Sequence, residues 1–268
     1  MTGSKKRRPQ HRRGLSIQPR DLDLLREDGI MRVGNRDQLM AAAGFHSVTR
    51  INTRLLALTR AGLLRRFFIG SESGRKAIYA LSAKGGQLVN MPPRGPRRRQ
   101  DEFLVADFFV LHQLAVNLVY CDLKFGHALP AQAQFVNWTA FFEPIVPAIS
   151  LIPDGYVEVR AYGRNIAAFL EVDLGHERLA VWATKAKHYL QLAVSGEFSR
   201  HFHLPQFRVL VLVNSKRRLQ SIRGAVASVT PKIFWFATLE DARGEKFSGP
   251  VWLRPEGDTY QPLFEQPS

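Results

Sequence analysis

Residues 151–173 have the sequence LIPDGYVEVRAYGRNIAAFLEVD, and this stretch decides the fold of the larger part of the chain. A Pro-Asp-Gly turn at residues 153–155 opens one strand that continues to residue 161, and residues 166–173 form a second apolar strand. Because paired strands lie about 4.8 Å apart, carboxylates on adjoining strands can converge on one cation. The stretch therefore predicts that Asp154 and Glu171 lie close together.

The segments around these strands predict a layered sheet with helices on both faces, an α/β unit in a chain that is α+β overall. Continuous apolar runs are typical of central strands that are covered on both faces. The expected helices cover residues 102–121, 177–194 and 215–226, and the further strands cover residues 207–214, 233–239 and, at an edge, 249–253. Residues 133–146 are expected to be a strand or an irregular cover. His112 and Asn117 are interpreted as satisfied core or interface polar groups.

The positive charge of the chain is concentrated in its first third. Residues 1–100 contain 22 Lys and Arg against 6 Asp and Glu, a balance of +16, whereas residues 101–268 contain 16 against 17, a balance of −1. A basic unit joined to a neutral one is typical of a polyanion-binding module carried by another domain. Residues 1–18 are expected to be a disordered basic arm, either contacting phosphates or remaining a solvated tail.

Three short helices followed by a hairpin are predicted between residues 19 and 91. Pro19 suits the first turn of the first helix, which we expect to end near Glu27. Asn35 and Gln38 have the spacing of a capping box at the start of the second helix. The third helix is expected to cover residues 48–61, and the hairpin strands residues 63–69 and 76–81.

This order of elements resembles a winged helix-turn-helix, in which the third helix enters the major groove of DNA and the hairpin lies along the backbone. Arginines line one outward face of the third helix, flank the hairpin and fill a Pro- and Arg-rich linker at residues 92–100. The residues expected to contact DNA are Arg50, Thr53, Arg54, Arg60, Arg65, Arg66, Arg75, Lys76, Arg97, Arg98 and Arg99. A winged helix that serves protein contacts remains the alternative.

A second set of residues predicts phosphodiester chemistry. Two carboxylates, Asp154 and Glu171, could hold a divalent metal that polarises a phosphodiester and activates water. We expect this metal to be Mg²⁺, with Mn²⁺ as a substitute, and we expect Lys185 to stabilise developing phosphate charge. In the alternative interpretation, Asp154 caps a turn, and Glu171 and Asp173 form ordinary exposed pairs at a strand end.

These elements resemble the PD-(D/E)xK nuclease fold, whose core runs αβββαβ with Asp on the second strand and Glu-x-Lys on the third. The chain departs from that pattern at Asp173, which stands in the position of the lysine. Because some members supply the lysine from the following helix, the resemblance assigns the role to Lys185, with Lys187 as the second choice. It implies a mixed sheet flanked by helices over residues 101–268.

A longer resemblance covers roughly residues 20–240. The segments LHQLAVN, PDGYVEV, FLEVDLG and TKAKHYLQL are similar to the replication-relaxation family of bacterial plasmids and mobile elements. In that family a DNA-binding head is followed by Pro-Asp-Gly, Glu-x-Asp and Lys-x-x-x-Tyr, which here are residues 153–155, residues 171–173 and the pair Lys185 and Tyr189. The resemblance implies a role in plasmid replication and in DNA relaxation or transfer.

Three functions remain open from the sequence: a metal-dependent DNA endonuclease or nickase, a non-catalytic DNA-binding adaptor or repressor, and an RNA-binding protein. The expected partners are double-stranded DNA, a second copy of the chain, and a relaxase or replication protein. No membrane partner is expected, because no apolar run approaches the ~18–20 residues that span a bilayer. With Cys121 as the single cysteine and no signal peptide, we expect a cytoplasmic protein.

Overall fold

The computed structural model of the protein describes residues 15–70, 74–99 and 108–264. Most of the expected basic arm, the tip of the hairpin and the start of the helix expected at residues 102–121 lie outside these residues. Among the helices that are described, none is long and apolar enough to cross a membrane.

The N-terminal part contains four helices and a small antiparallel sheet. Its elements are α1 (Pro19–Met31), β1 (Gly34–Asn35), α2 (Arg36–Ala42), α3 (Val48–Arg60), β2 (Leu64–Ile69), β3 (Lys76–Leu81) and α4 (Ala83–Val89). The sheet has the order β1-β3-β2. Asn35 and Gln38 form the expected capping box, and the Ser47 side chain accepts a hydrogen bond at the start of α3. Helix α1 continues four residues beyond its expected end at Glu27.

The C-terminal part is built on a mixed sheet of five strands in the order β4-β5-β6-β7-β8. Its elements are α5 (Phe108–Lys124), β4 (Ala133–Thr139), β5 (Gly155–Ala161), β6 (Arg164–Asp173), α6 (Leu179–Val194), α7 (Glu197–Phe202), β7 (Phe207–Val213), α8 (Lys216–Ala227), β8 (Phe234–Thr238), a 3-10 helix (Gly244–Ser248), β9 (Pro250–Trp252) and β10 (Gln261–Pro262). Strands β4, β5 and β6 are antiparallel neighbours, whereas β6, β7 and β8 run parallel. The expectation of a layered mixed sheet is thus confirmed.

The sheet is covered on both faces, which explains the continuous apolar runs of its central strands. On one face Phe169 packs with Trp182 and Tyr189 of α6, and with residues of α7 and α8. On the other face Val172 and Leu210 pack with Val116 and other residues of α5 and with the C-terminal segments. The ends of β6 are therefore held between helices on both sides.

Several details differ from the expected fold. Helix α4, the two-residue strands β1 and β10, and the 3-10 helix were not expected. The short helix α7 was not expected either, and it forms because Phe198 and Phe202 bury their rings against Phe169. The edge strand expected at residues 249–253 does not extend the main sheet. It forms β9, which pairs with β10 in a separate two-stranded sheet, and the next residue, Leu253, forms a bridge to Phe236 of β8.

Helix α5 joins the two parts of the chain. The Asn117 side chain is 2% exposed and donates hydrogen bonds to the carbonyl oxygens of Met31 and Val33, at 3.0 and 2.6 Å. Glu27 of α1 accepts hydrogen bonds from Tyr120 and from Lys124, whose Nζ lies 2.6 Å away. The interpretation of Asn117 as a satisfied interface group is confirmed.

The linker expected at residues 92–100 also packs closely against the N-terminal part. A side chain at Gly95 would meet the Cβ of Ala80 at 2.3 Å, so only glycine allows this approach. Arg65 donates to the carbonyl oxygen of Pro96 at 3.0 Å. Helix α5 therefore packs against the N-terminal part, and so does the described part of the linker, residues 92–99.

Replacing Asn117 by Ala should lower the free energy of unfolding by about 1–3 kcal/mol, because two buried carbonyl oxygens would no longer accept their hydrogen bonds. Urea denaturation of the full chain measures this difference. Leu111→Ala, at an exposed position of the same helix, is the matched control. Equal decreases in the two variants would contradict the role of Asn117.

Candidate acidic site and cationic surface

Asp154 lies at the start of β5, beside the end of β6. Gly155 pairs with Leu170 in the antiparallel ladder, so Asp154 stands next to Glu171 as expected. The Asp154 Oδ2 atom accepts a hydrogen bond of 2.7 Å from the backbone N–H of Val172. This contact ties the carboxylate to the neighbouring strand.

Gly155 has a packing role in this turn. A Cβ at this position would meet the indole ring of Trp138 on β4 at 2.4 Å. The Pro-Asp-Gly segment therefore needs glycine so that the aromatic ring can approach the backbone, and this approach helps to place Asp154.

Glu171 is 1% exposed and is held by two partners from α6. Lys185 Nζ lies 2.8 Å from one carboxylate oxygen, and the Tyr189 hydroxyl donates to the other at 2.6 Å. Burial raises the pKa of Glu171 to about 7, although the charge of Lys185 opposes this shift. The charge of this carboxylate thus depends on the lysine beside it.

Lys185 lies among three carboxylates. Its ammonium group bonds Glu171 and also Glu177, at 3.0 Å. Burial lowers the pKa of Lys185, but the nearby negative charges, including that of Asp154, outweigh burial and raise it. Lys185 is therefore a charged group at the acidic site, whereas Lys187, the second choice, is exposed.

Two side chains that the sequence did not assign to this site belong to it. His112 Nε2 of α5 lies 3.2 Å from Asp154 Oδ2 and 2.9 Å from the Val172 carbonyl oxygen. Burial lowers the pKa of His112, yet its contacts with Asp154 and Val172 raise the pKa above its ordinary value. Tyr189 is the second of these side chains. Because it lies four residues after Lys185 on the same face of a helix, the sequence could have predicted that it contacts the site. No local pattern showed that α5 would bring His112 here.

Asp173, which occupies the position of the lysine in the nuclease pattern, has a structural role instead. Its carboxylate accepts hydrogen bonds from Arg218 at 3.0 and 2.6 Å, from Trp182 Nε1 at 2.8 Å and from the Gly175 backbone. Burial raises the pKa of Asp173, but these hydrogen bonds, above all those from Arg218, lower it below its ordinary value. Its charge is therefore fully engaged in holding α6 and α8 against β6.

The metal expectation rests on Asp154 and Glu171. Within the described residues, no group of three or more His, Cys, Asp or Glu side chains is placed to hold a metal ion. Magnesium often uses only one or two carboxylates and completes its shell with water and substrate phosphates. The two adjacent carboxylates are of the donor type that such a site uses. Asp154 is the more exposed of them, at 20% for its side chain, whereas both oxygens of Glu171 already accept hydrogen bonds.

The predicted DNA-contacting residues of α3 separate into two groups. Arg50, Thr53 and Arg60 are exposed. Arg54 was expected on the same outward face, but its side chain is half-buried and turned towards α1. Its guanidinium donates to the fully buried carboxylate of Asp21, with Nε 2.6 Å from Oδ1, because that carboxylate needs a cation.

The hairpin and linker arginines also differ in their surroundings. Arg65 is half-buried and donates to the carbonyl oxygens of Pro96 and Arg98. Arg66 is half-buried, with its guanidinium 5.1 Å from the ring centroid of Phe68. The exposed members of this set are Arg75, Lys76, Arg97, Arg98 and Arg99.

A family model described as replication-relaxation matches residues 22–205 of the chain, which is more than half of its 268 residues. The matched segment runs from within α1 to just beyond the end of α7 and includes all residues of the acidic site. Comparisons with curated proteins and with solved structures found no match.

Replacing Arg218 by Met should lower the free energy of unfolding by about 3–5 kcal/mol, because Asp173 would keep a buried charge without its main partner. Arg217→Met provides the control, since Arg217 is exposed on the same helix. Urea denaturation at neutral pH measures both. A decrease no larger in the first variant than in the second would reject the structural role of Asp173.

Proposed function

The chain belongs to the replication-relaxation family, and we propose that it binds double-stranded DNA in the replication, relaxation or transfer of a plasmid or other mobile element. The N-terminal part would serve as a winged helix-turn-helix. Its element order, three helices followed by an antiparallel hairpin, supports this proposal.

The observation that carries DNA binding is the exposed cationic face of α3. Arg50, Thr53 and Arg60 are solvent-exposed on that helix, and Arg75 and Lys76 are exposed beside the hairpin tip. Long cationic side chains on a helix of this kind can contact both base edges and phosphates. The balance of +16 over residues 1–100 (22 Lys and Arg minus 6 Asp and Glu) adds attraction to any phosphate backbone.

We propose further that the C-terminal part is a PD-(D/E)xK-like domain and that its acidic site cleaves the DNA held by the first part. Asp154, Glu171 and Lys185 lie together at the end of paired strands, and this convergence supports the proposal. Asp154 and Glu171 would hold Mg²⁺, which when bound polarises a phosphodiester and lowers the pKa of a bound water.

The chain's own residues have distinct tasks in this proposal. Lys185 forms an ion pair with the Glu171 carboxylate. In this proposal its ammonium group would also stabilise the negative charge of a phosphate bound at the site. Tyr189 orients Glu171 through its hydroxyl, and the Val172 backbone N–H orients Asp154. His112 contacts the same Asp154 oxygen from α5, so the carboxylate is held from two elements.

A non-catalytic adaptor or repressor is the second candidate, and a specific observation favours it. Both oxygens of Glu171 accept hydrogen bonds from protein side chains, and the Asp173 carboxylate is bound by Arg218 and Trp182. A site whose carboxylates are saturated in this way suits a degenerate nuclease fold that dimerises or recruits a relaxase or replication protein.

Arg50→Ala and Arg60→Ala should each weaken binding to duplex DNA, by about 1–3 kcal/mol where the side chain contacts a base. Fluorescence anisotropy with a labelled duplex measures the affinity at several salt concentrations. Arg164→Ala, at an exposed position of the second part, should leave it unchanged.

Duplex RNA of the same length is the control for groove recognition. The narrow major groove of A-form RNA should exclude α3, so binding should be weaker. Equal affinity for duplex RNA and duplex DNA would contradict a winged helix that enters the major groove.

Supercoiled plasmid incubated with Mg²⁺ or Mn²⁺ should be nicked or linearised by the wild-type protein. Asp154→Asn and Glu171→Gln should abolish cleavage while retaining DNA binding, because each removes one carboxylate charge from the metal site. Glu240→Gln is the matched control, since Glu240 is exposed outside the acidic site. Plasmid that stays intact but shifts on a gel with all four proteins would reject cleavage and favour the adaptor.

A further inference from the structure

A groove rich in arginine and phenylalanine lies where the connecting segment meets α5 and the loop after β4. Its principal lining residues, here called the Arg–Phe groove, are Arg32, Arg94, Arg97, Phe109 and Phe142. Arg65, Arg98 and backbone of residues 93–96 complete the wall. No Asp or Glu of the described part of the chain is among its lining residues, so the groove has a strong preference for anions.

The two phenylalanines are exposed although they are large and apolar. Phe109 is 40% exposed and Phe142 is 39% exposed. The Arg32 guanidinium lies 4.4 Å from the Phe109 ring centroid, and that of Arg94 lies 3.5 Å from the Phe142 centroid. Nucleobases stack both on aromatic rings and on guanidinium planes, so these two Arg–Phe pairs offer several surfaces on which a base can stack.

Among the described residues, the guanidinium of Arg32 has few hydrogen-bond acceptors. Arg32 Nε is buried and has no hydrogen-bond partner, and another nitrogen of its guanidinium has only a long contact of 3.4 Å to Gln113. Burial and the neighbouring charge of Arg94 lower the pKa of Arg32. A phosphate placed between the two cations would relieve this repulsion.

A small cavity of about 20 Å³ adjoins the groove on the side of the acidic site. Arg32 and Phe142 also line this cavity, whose wall includes Asp154, together with Asn117 and Trp138. The same two side chains thus belong both to the Arg–Phe groove and to the space beside Asp154. On its other side the groove borders Arg65 at the base of the hairpin.

We propose that the Arg–Phe groove binds single-stranded DNA and holds it next to the cavity that Asp154 lines. Arg94 and Arg32 would contact phosphates, and Phe109 and Phe142 would stack bases. Paired and stacked bases of a duplex cannot reach these ring faces, whereas unpaired bases can. This inference rests on the proposed DNA binding and specifies the form of DNA that is held beside that cavity.

The test uses a blunt labelled duplex and the same duplex with a single-stranded extension of several nucleotides. The wild-type protein should bind the extended duplex roughly tenfold more tightly, the gain expected from one or two stacked bases. Phe142→Ala should remove most of this gain and leave affinity for the blunt duplex unchanged. Anisotropy at fixed salt concentration measures both ratios.

Additional binding measurements distinguish the contribution of base stacking from that of phosphate charge. An abasic extension keeps the phosphates but removes the bases, so the wild-type protein should bind it with little of the gain. Arg94→Gln should lower the dependence of extension binding on salt, by about 0.7 in the logarithmic slope for each phosphate that the protein no longer neutralises. Tyr260→Ala removes an exposed aromatic ring elsewhere and should change neither ratio.

Each outcome decides between defined alternatives. An equal gain in wild type and Phe142→Ala, or with abasic and normal extensions, would overturn the groove proposal while DNA binding by the N-terminal part stands. Tighter binding of an RNA extension than of a DNA extension would overturn the assignment to DNA. A wild-type protein that does not bind the blunt duplex at all would instead reject the proposed function itself.

Discussion

Two carboxylates at the end of β6, Glu171 and Asp173, are almost completely withdrawn from water, and the arrangement around them depends on how their charge is compensated. A buried carboxylate is tolerated only where cations and hydrogen-bond donors surround it. Lys185 and Tyr189 satisfy the first carboxylate, and Arg218 with Trp182 satisfies the second. Because these partners lie on α6 and α8, the same contacts fix both helices against the sheet.

This compensation also shapes what the acidic site can do. Glu171 can bind a new ligand only if Lys185 or Tyr189 releases one of its carboxylate oxygens, whereas the Asp154 side chain is partly exposed. The position that lysine takes in the PD-(D/E)xK pattern is occupied here by Asp173, a carboxylate that stabilises the fold. The positive charge comes from the following helix instead, through Lys185. Catalysis would require a metal ion and a phosphate to displace part of the Lys185–Glu171 ion pair, whereas an adaptor would leave this pair intact.

Helix α5 gives the two parts of the protein a common element. Through Asn117, Tyr120 and Lys124 it is bonded to α1 and its end, and through His112 it contacts Asp154 and Val172. Helix α5 therefore contacts both the N-terminal part and the acidic site. The Arg–Phe groove lies along the start of this helix, so the proposed DNA groove belongs to the same interface.

The sequence by itself determined the order of most helices and of the central strands, the strand pairing of residues 151–173, the cap of α2, and the proximity of Asp154, Glu171 and Lys185. These features follow from periodicity, turn residues and adjacent strands, which depend on neighbours in the chain. Only the tertiary structure decided that Arg54 binds Asp21, that Arg218 binds Asp173, and that His112 and the Arg–Phe groove lie beside the acidic site. Those contacts join residues 33 or more positions apart, and their geometry depends on how helices pack on the sheet, which local patterns do not record.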